Sequence, residues 1–311
     1  MQQFYNFDQF DLDNPRFPSR RYGMNYAKTI NGIQYLLVSS FPYAWLKNAT
    51  RIFCHVKNYF SYAEYLSCNI LSMIGLNCQK TLLGDFQDPS NPNHRVLAVA
   101  CENLELSSNE FFTFHGIVNA GYHVSNPLFT KRCDIDDVLA TIAAQPLLPP
   151  KKLKDFFWKQ FVGDAFIGNC NRTNDHWGIL IDINDNVSIC PLFDCASRLS
   201  CCISDRDLQD LKNRETMLKT RCYETCKSAF EYHGKKIDYL EFISQNVDAD
   251  CTKTFFELME CIDLNKILDF IENAPIKDES YKHFYKYLIV ARKTLILDKA
   301  YRELSSPMVG V

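Results

Sequence analysis

Residues 168–178 read Gly-Asn-Cys-Asn-Arg-Thr-Asn-Asp-His-Trp-Gly, gathering amides, one carboxylate, a guanidinium and an imidazole into one short loop. A second carboxylate, Asp194, follows in the apolar setting Pro191-Leu192-Phe193-Asp194. An unpaired carboxylate in such surroundings is costly, so Asp194 reads either as a metal ligand or as a structural turn. Two metal-directed groups on separate segments can clamp one cation against the phosphates of a nucleotide. Phosphoryl transfer needs that grouping, because its catalysis is mostly positioning and neutralisation of spreading charge.

Such residues need elements to hold them. The run KKLKDFFWKQFVGDAFIG leads into the loop as a helix, and ILIDINDNVSIC after it reads as two short strands around a turn. Near the N-terminus residues 22–44 alternate in polarity and carry Asn31-Gly32, a hairpin signal. The stretch SYAEYLSCNILSMIG places Tyr62, Leu66 and Ile70 on one helical face, closed by Gly75. Two strands, QKTLLGDF and HRVLAVACENLEL, follow around a Pro/Asn loop. DIDDVLATIAAQ then predicts a helix and PLLPP a stiff breaker, and from about Asp205 the spacing is almost wholly helical. The expected fold is α+β, with a small sheet-containing lobe over 1–107 and a larger helical lobe over 108–311. No internal repeat appears.

Composition narrows the function classes. At 311 residues the chain can bury a large core, and its net charge of −3 gives no electrostatic footprint for nucleic acid or an anionic membrane. The opening MQQFYNFDQFDLDNP lacks a basic n-region and a long apolar core, so no signal peptide is expected, and no apolar run is long enough to span a membrane. None of the 14 cysteines forms a Cys-x-x-Cys pair, which makes the zinc reading weak and a reduced, cytoplasmic setting the expectation.

The segment FFWKQFVGDAFIGNCNRTNDHWGIL, continued by VSICPLFDCASRL, resembles the HipA-type serine/threonine kinases. Members of that family read roughly F-W-x-x-F-V-x-D-A-x-I-G-N-x-D-R-H-x-x-N-W-G and then P-(I/L)-(F/Y)-D-x-(G/A)-S. NGIQYLLV, AEYLSCNILSMIGLNCQKTLLG and VLAVACENL resemble the family's first hairpin, its helix with the following strand, and its strand into the hinge. The resemblance implies a two-lobed protein-kinase-like fold, ATP with Mg²⁺ or Mn²⁺, protein substrates including the chain itself, and no nucleic-acid or membrane partner. The translocating kinases of the family add export into host cells from a cytoplasmic origin.

The departures are specific. Asn171 stands where the family has its loop Asp, and His176 where it has a metal-binding Asn, while Arg172, Trp177 and Gly178 match. The strand position of the nucleotide-clamping Lys falls on Val38 or on Ser40, depending on the end counted from. Asn171 cannot act as a base but can orient a hydroxyl. Asp175 either replaces that base or faces solvent. His176 suits Mg²⁺ poorly, so it is either a metal contact or an ordinary hydrogen-bonded histidine, and Asn174 is the alternative ligand. Glu64 is the family's helix Glu, with Lys28 and Arg51 as surrogate cations. Gly23 and Asn25 occupy the phosphate turn, and Cys101, Glu102 and Leu104 the adenine hinge. Asp164 matches the family and reads as a structural hydrogen-bonding residue. The resemblance leaves two functions open: an active kinase with an atypical loop, or a nucleotide-binding pseudokinase acting through protein partners.

Overall fold

The computed structural model describes residues 2–10, 12–19, 23–39, 56–88, 91–104, 109–122, 133–196, 202–204, 208, 216, 219–220 and 226–306. The hairpin signal is met: β3 (Gly23–Ile30) and β4 (Ile33–Ser39) are joined at Asn31 and Gly32, with φ of 52° and 78°. Two successive positive φ values are what a two-residue turn between twisted strands requires.

With β1 (Tyr5–Asn6), β2 (Leu12–Ser19), β6 (Thr81–Gln87) and β7 (Arg95–Glu102) these strands build one six-stranded sheet, ordered β1-β6-β7-β4-β3-β2. β5 (Val56–Asn58) lies outside it, paired antiparallel with Cys202–Ser204. β2 has no counterpart in the sequence reading. It carries Pro15 and Pro18, residues that remove a ladder donor, and it lies at the sheet's edge, where that loss is tolerated.

Side chains alternate across this sheet. Val38, Leu83, Val99 and Cys101 face helix α1 (Phe60–Met73) and join the main core. Tyr35, Leu37, Ala98 and Ala100 face the other way, with Phe7 and Ile30, in a second apolar cluster.

Beyond the sheet, β8 (Asn109–Thr113) pairs antiparallel with β9 (Gly178–Asp182), which pairs with β10 (Val187–Ile189). β8 is a correction to the helical reading of that region. A strand whose partner lies far along the chain shows little local periodicity of its own. A short helix α2 (Phe114–Ile117) follows, then α3 (Ile135–Ala144), capped by Asp134. The breaker ends inside a helix: Pro150 opens α4 (Pro150–Ile167), a first-turn position where its missing N–H costs nothing. Gly168 ends α4 at φ 75°.

The C-terminal part carries helices Tyr239–Ser244, Ala249–Cys261, Leu264–Glu272 and Glu279–Arg292, the last running through a π-type turn into Asp298–Ser305. A small hairpin, Glu231–Tyr232 with Lys235–Lys236, interrupts the helical pattern. Among the described residues no helix is long and apolar enough to cross a membrane.

Candidate active site

The loop after α4 is built around one buried guanidinium. Arg172 donates from Nε to Asp164 Oδ2 at 2.9 Å and from Nη2 to Asp164 Oδ1 at 3.1 Å. Its Nη1 donates to the His176 carbonyl at 3.0 Å and to the Phe193 carbonyl at 2.6 Å, and Nη2 reaches Cys195 Sγ at 3.5 Å. Every N–H of the fork thus has an acceptor. Asp164, which the sequence offered only as a structural hydrogen-bonding residue, is the anchor that neutralises Arg172 inside the core. Burial pushes the Asp164 carboxyl up to about 6, against the pull of Arg172.

The loop is held from below as well. Asn169 donates its amide to Asp164 Oδ1 at 3.2 Å, and Tyr239 donates its hydroxyl to the Asn169 carbonyl at 2.6 Å. Trp177 stacks on Phe114 with ring centroids 4.1 Å apart. Gly178 explains itself, since a Cβ there would lie 2.0 Å from the Phe112 carbonyl oxygen of β8.

Arg172 therefore ties the loop to the segment that carries Asp194, and the result is a small polar cluster. His176 Nε2 lies 3.4 Å from Asp194 Oδ2, with both side chains about one-third exposed. His176 Nδ1 lies 2.9 Å from the Asn171 carbonyl and 3.2 Å from the Thr173 backbone N–H, so the loop holds the ring from both sides. Nε2 faces the carboxylate oxygen of Asp194. Asp194 itself sits at φ 53°, in the left-handed region, a local strain typical of ligand-holding residues. The Asn171 side chain is exposed, and its backbone carbonyl meets the His176 ring.

Asn174 and Asp175 are placed differently. Asn174 is buried, its carbonyl accepts from His115 N at 2.9 Å, and its Oδ1 has no hydrogen-bond partner. Asp175 is exposed, with its backbone N–H on Thr173 Oγ1 at 3.4 Å. Of the loop's candidates it is His176 that approaches Asp194.

Glu64 is fully buried on α1 and faces the same segment from behind. Its Oε2 accepts from Ala196 N at 2.6 Å, and Cys68 Sγ donates to its Oε1 at 3.3 Å. Burial, with Cys195 and Asp194 nearby, pushes its carboxyl up to about 8. Lys28 does not meet it. That residue pairs with Tyr35 across the β3–β4 ladder and so projects to the face opposite Val38, where its Nζ donates to the Phe10 carbonyl. Val38 is buried and apolar on the face toward α1. Ser40 and Arg51 lie outside the described residues. Gly23 and Asn25 stand at the start of β3, opposite Ser19 and Phe17.

At the strand end, Glu102 N donates to the Lys80 carbonyl at 2.9 Å, and Gln79 Nε2 donates to the Glu102 carbonyl at 2.7 Å. Cys101 is buried within the ladder between β4 and β6. Leu104 instead packs with Cys190 and Phe193 and with Phe111 of β8, which brings the end of the hinge against the residue preceding Asp194. Phe111 was missed in the sequence because β8 was.

No protein-family model matches the chain. The serine/threonine-protein kinase CtkA of Helicobacter pylori strain J99 is 32% identical over 242 residues, covering 77% of this chain and 72% of that relative. The crystal structure of a proinflammatory kinase CtkA from Helicobacter pylori matches with a TM-score of 0.78 and 26% identity, over 97% of this chain and 98% of that one. The fold also matches HipA of Shewanella oneidensis MR-1, solved with HipB and operator DNA. There the TM-score is 0.53 at 12% identity, over 98% of this chain and 70% of the other.

Proposed function

This chain belongs to the HipA-like serine/threonine-protein kinases of the CtkA type, and from that premise we propose that it transfers the ATP γ-phosphate to protein hydroxyls, its own included. The observation that carries this reading is the meeting of His176 with Asp194 and with the Asn171 carbonyl, in a loop tied to the Asp194 segment by Arg172. In this reading residues 1–107 clamp the nucleotide and residues 108–311 hold the transfer site. The pairing of β8 with β9, and not with the six-stranded sheet, supports that division.

The residues present fit a divalent cation, because Asp194 Oδ2 and His176 Nε2, an oxygen and a nitrogen donor from separate segments, face one another at 3.4 Å. When bound, that cation neutralises charge on the phosphates. The chain supplies the positioning. Asn171 holds the acceptor hydroxyl by hydrogen bond without taking its proton. Leu104, Phe111 and Phe193 wall the adenine next to Cys101 and Glu102. Gly23 and Asn25 border the phosphates, and Glu64 holds the Asp194–Ala196 segment through Ala196 N.

A nitrogen ligand suits Mn²⁺ better than Mg²⁺, which takes oxygen. Autophosphorylation with labelled ATP is therefore expected to run faster with Mn²⁺, and His176→Asn to move the preference toward Mg²⁺. An unchanged ratio of the two rates would remove His176 from the metal set. Asp194→Ala is expected to abolish transfer together with the metal-dependent part of the nucleotide thermal shift. A metal-dependent shift that survives the substitution would overturn the assignment of Asp194.

One observation favours a second reading. Val38, one of the two positions at which a phosphate-pairing Lys is expected, presents an apolar side chain, and Lys28 projects from the other face. Nucleotide bound without transfer under either metal would make the chain a pseudokinase.

A further inference from the structure

Behind the Asp194 segment, three sulfurs and a carboxylate meet where the sequence shows no metal motif. Glu64 and Cys68 lie four apart on one face of α1, and Cys195 approaches them from the segment after β10. A ligand atom from each lies within 4.8 Å of the other two, and all three residues are buried. Cys195 is also in hydrogen-bonding contact with Cys78, which follows α1. The backbone holds the same groups together, with Gln79 N on the Leu192 carbonyl at 2.7 Å and Leu192 N on the Asn77 carbonyl at 2.8 Å.

A lone buried cysteine is a small hydrophobe, but this cluster is not lone and not apolar. It holds a buried carboxyl bonded to the Cys68 thiol and to the backbone of Cys195 and Ala196, and the Arg172 guanidinium stands 3.5 Å from Cys195 Sγ as a counter-charge. None of Cys68, Cys78 and Cys195 is in a disulfide.

We propose that Glu64, Cys68 and Cys195, with Cys78 as the fourth contact, form a closed structural site for a soft divalent cation, zinc. Thiolates select Zn²⁺ over hard cations such as Mg²⁺, and structural zinc sites are four-coordinate and shut off from solvent. The ion enters from water as Zn²⁺, the thiol and carboxyl protons leave to solvent, and nothing is oxidised or reduced. Such an ion pins α1 directly to the segment that presents Asp194. It performs the tethering that a Lys–Glu pair gives other kinases, where this chain has Val38 or Ser40 at the Lys position. The inference stands apart from the transfer reaction, and its test reads no activity.

The full chain, produced with zinc in the medium, is analysed by elemental mass spectrometry and by X-ray absorption at the zinc edge. The expected result is a single zinc per chain with sulfur neighbours at about 2.3 Å. Cys68→Ser and Cys195→Ser should each lose the zinc, and Cys261→Ser, at an exposed position elsewhere, should keep it. The absorption spectrum of the unaltered chain needs no variant to fold. Folded protein without zinc overturns the proposal, as does a Cys68–Cys195 disulfide found by mass mapping. Zinc retained by both serine variants overturns it too, since the ion would then lie elsewhere.

Discussion

Asn171→Asp is expected to raise the initial rate of autophosphorylation by about 10²–10⁴-fold, the usual contribution of a positioned acid–base group. The side chain is already exposed, and its backbone is fixed by Asn169 Oδ1 on Asn171 N at 2.9 Å and by the His176 contact at 2.9 Å. The change therefore replaces an amide by a nearly isosteric carboxylate without moving the loop. What it adds is a group that can take the acceptor's proton. Adding His176→Asn should raise the Mg²⁺ rate further, and non-additively, because both residues act on one cation–phosphate cluster. The measurement is the initial rate for the parent, each single change and the double, at saturating ATP. Equal rates in all four, above background, would mean that another loop carries the transfer.

Arg172→Met is expected to cost about 3–5 kcal/mol of stability, the range found when one partner of a buried ion pair is removed. Asp164 would be left as a buried carboxyl with only Asn169 to serve it, and the carbonyls of His176 and Phe193 would lose their shared donor. Urea unfolding of the parent, Arg172→Met, Asp164→Leu and the double variant reads both the cost and the coupling. The double should lose less than the sum of the singles, because it leaves no unpaired charge behind. A loss within about 0.5 kcal/mol for Arg172→Met, typical of an ordinary surface position, would show that the pair does not hold the loop. The nucleotide thermal shift should fall with it, since the same fork sets the distance between His176 and Asp194.

Much of this was legible along the chain, where the signals are local. Asn31-Gly32 specified its hairpin because two positive φ values admit few residue types. Gly75 closes the first helix as expected, at φ 92°, because a left-handed position just past a helix favours glycine, whereas Pro150, read as part of a breaker, opens α4. The loop of residues 168–178 announced a polar site by composition alone. β8 and β2 were illegible for the opposite reason, since the partner strand, not the strand's own residues, stabilises them.

By itself the sequence determined which groups are available: a loop with Asn171 and no base in the usual place, His176 where an oxygen ligand is expected, Val38 or Ser40 where a cation is expected, and Asp194 in an apolar run. Only the tertiary structure decided which of them meet. Strand alternation sent Lys28 to the face away from Glu64, and the Asp164–Arg172 pair helped bring His176 to within 3.4 Å of Asp194. Folding also joined Glu64 and Cys68 to Cys195 from a distant segment, so that a carboxylate and two cysteines without a metal-type spacing became neighbours. The physical reason is common to all three. Residue type is written locally, but burial, register and the pairing of buried charge depend on contacts between distant segments, and those exist only once the core has formed.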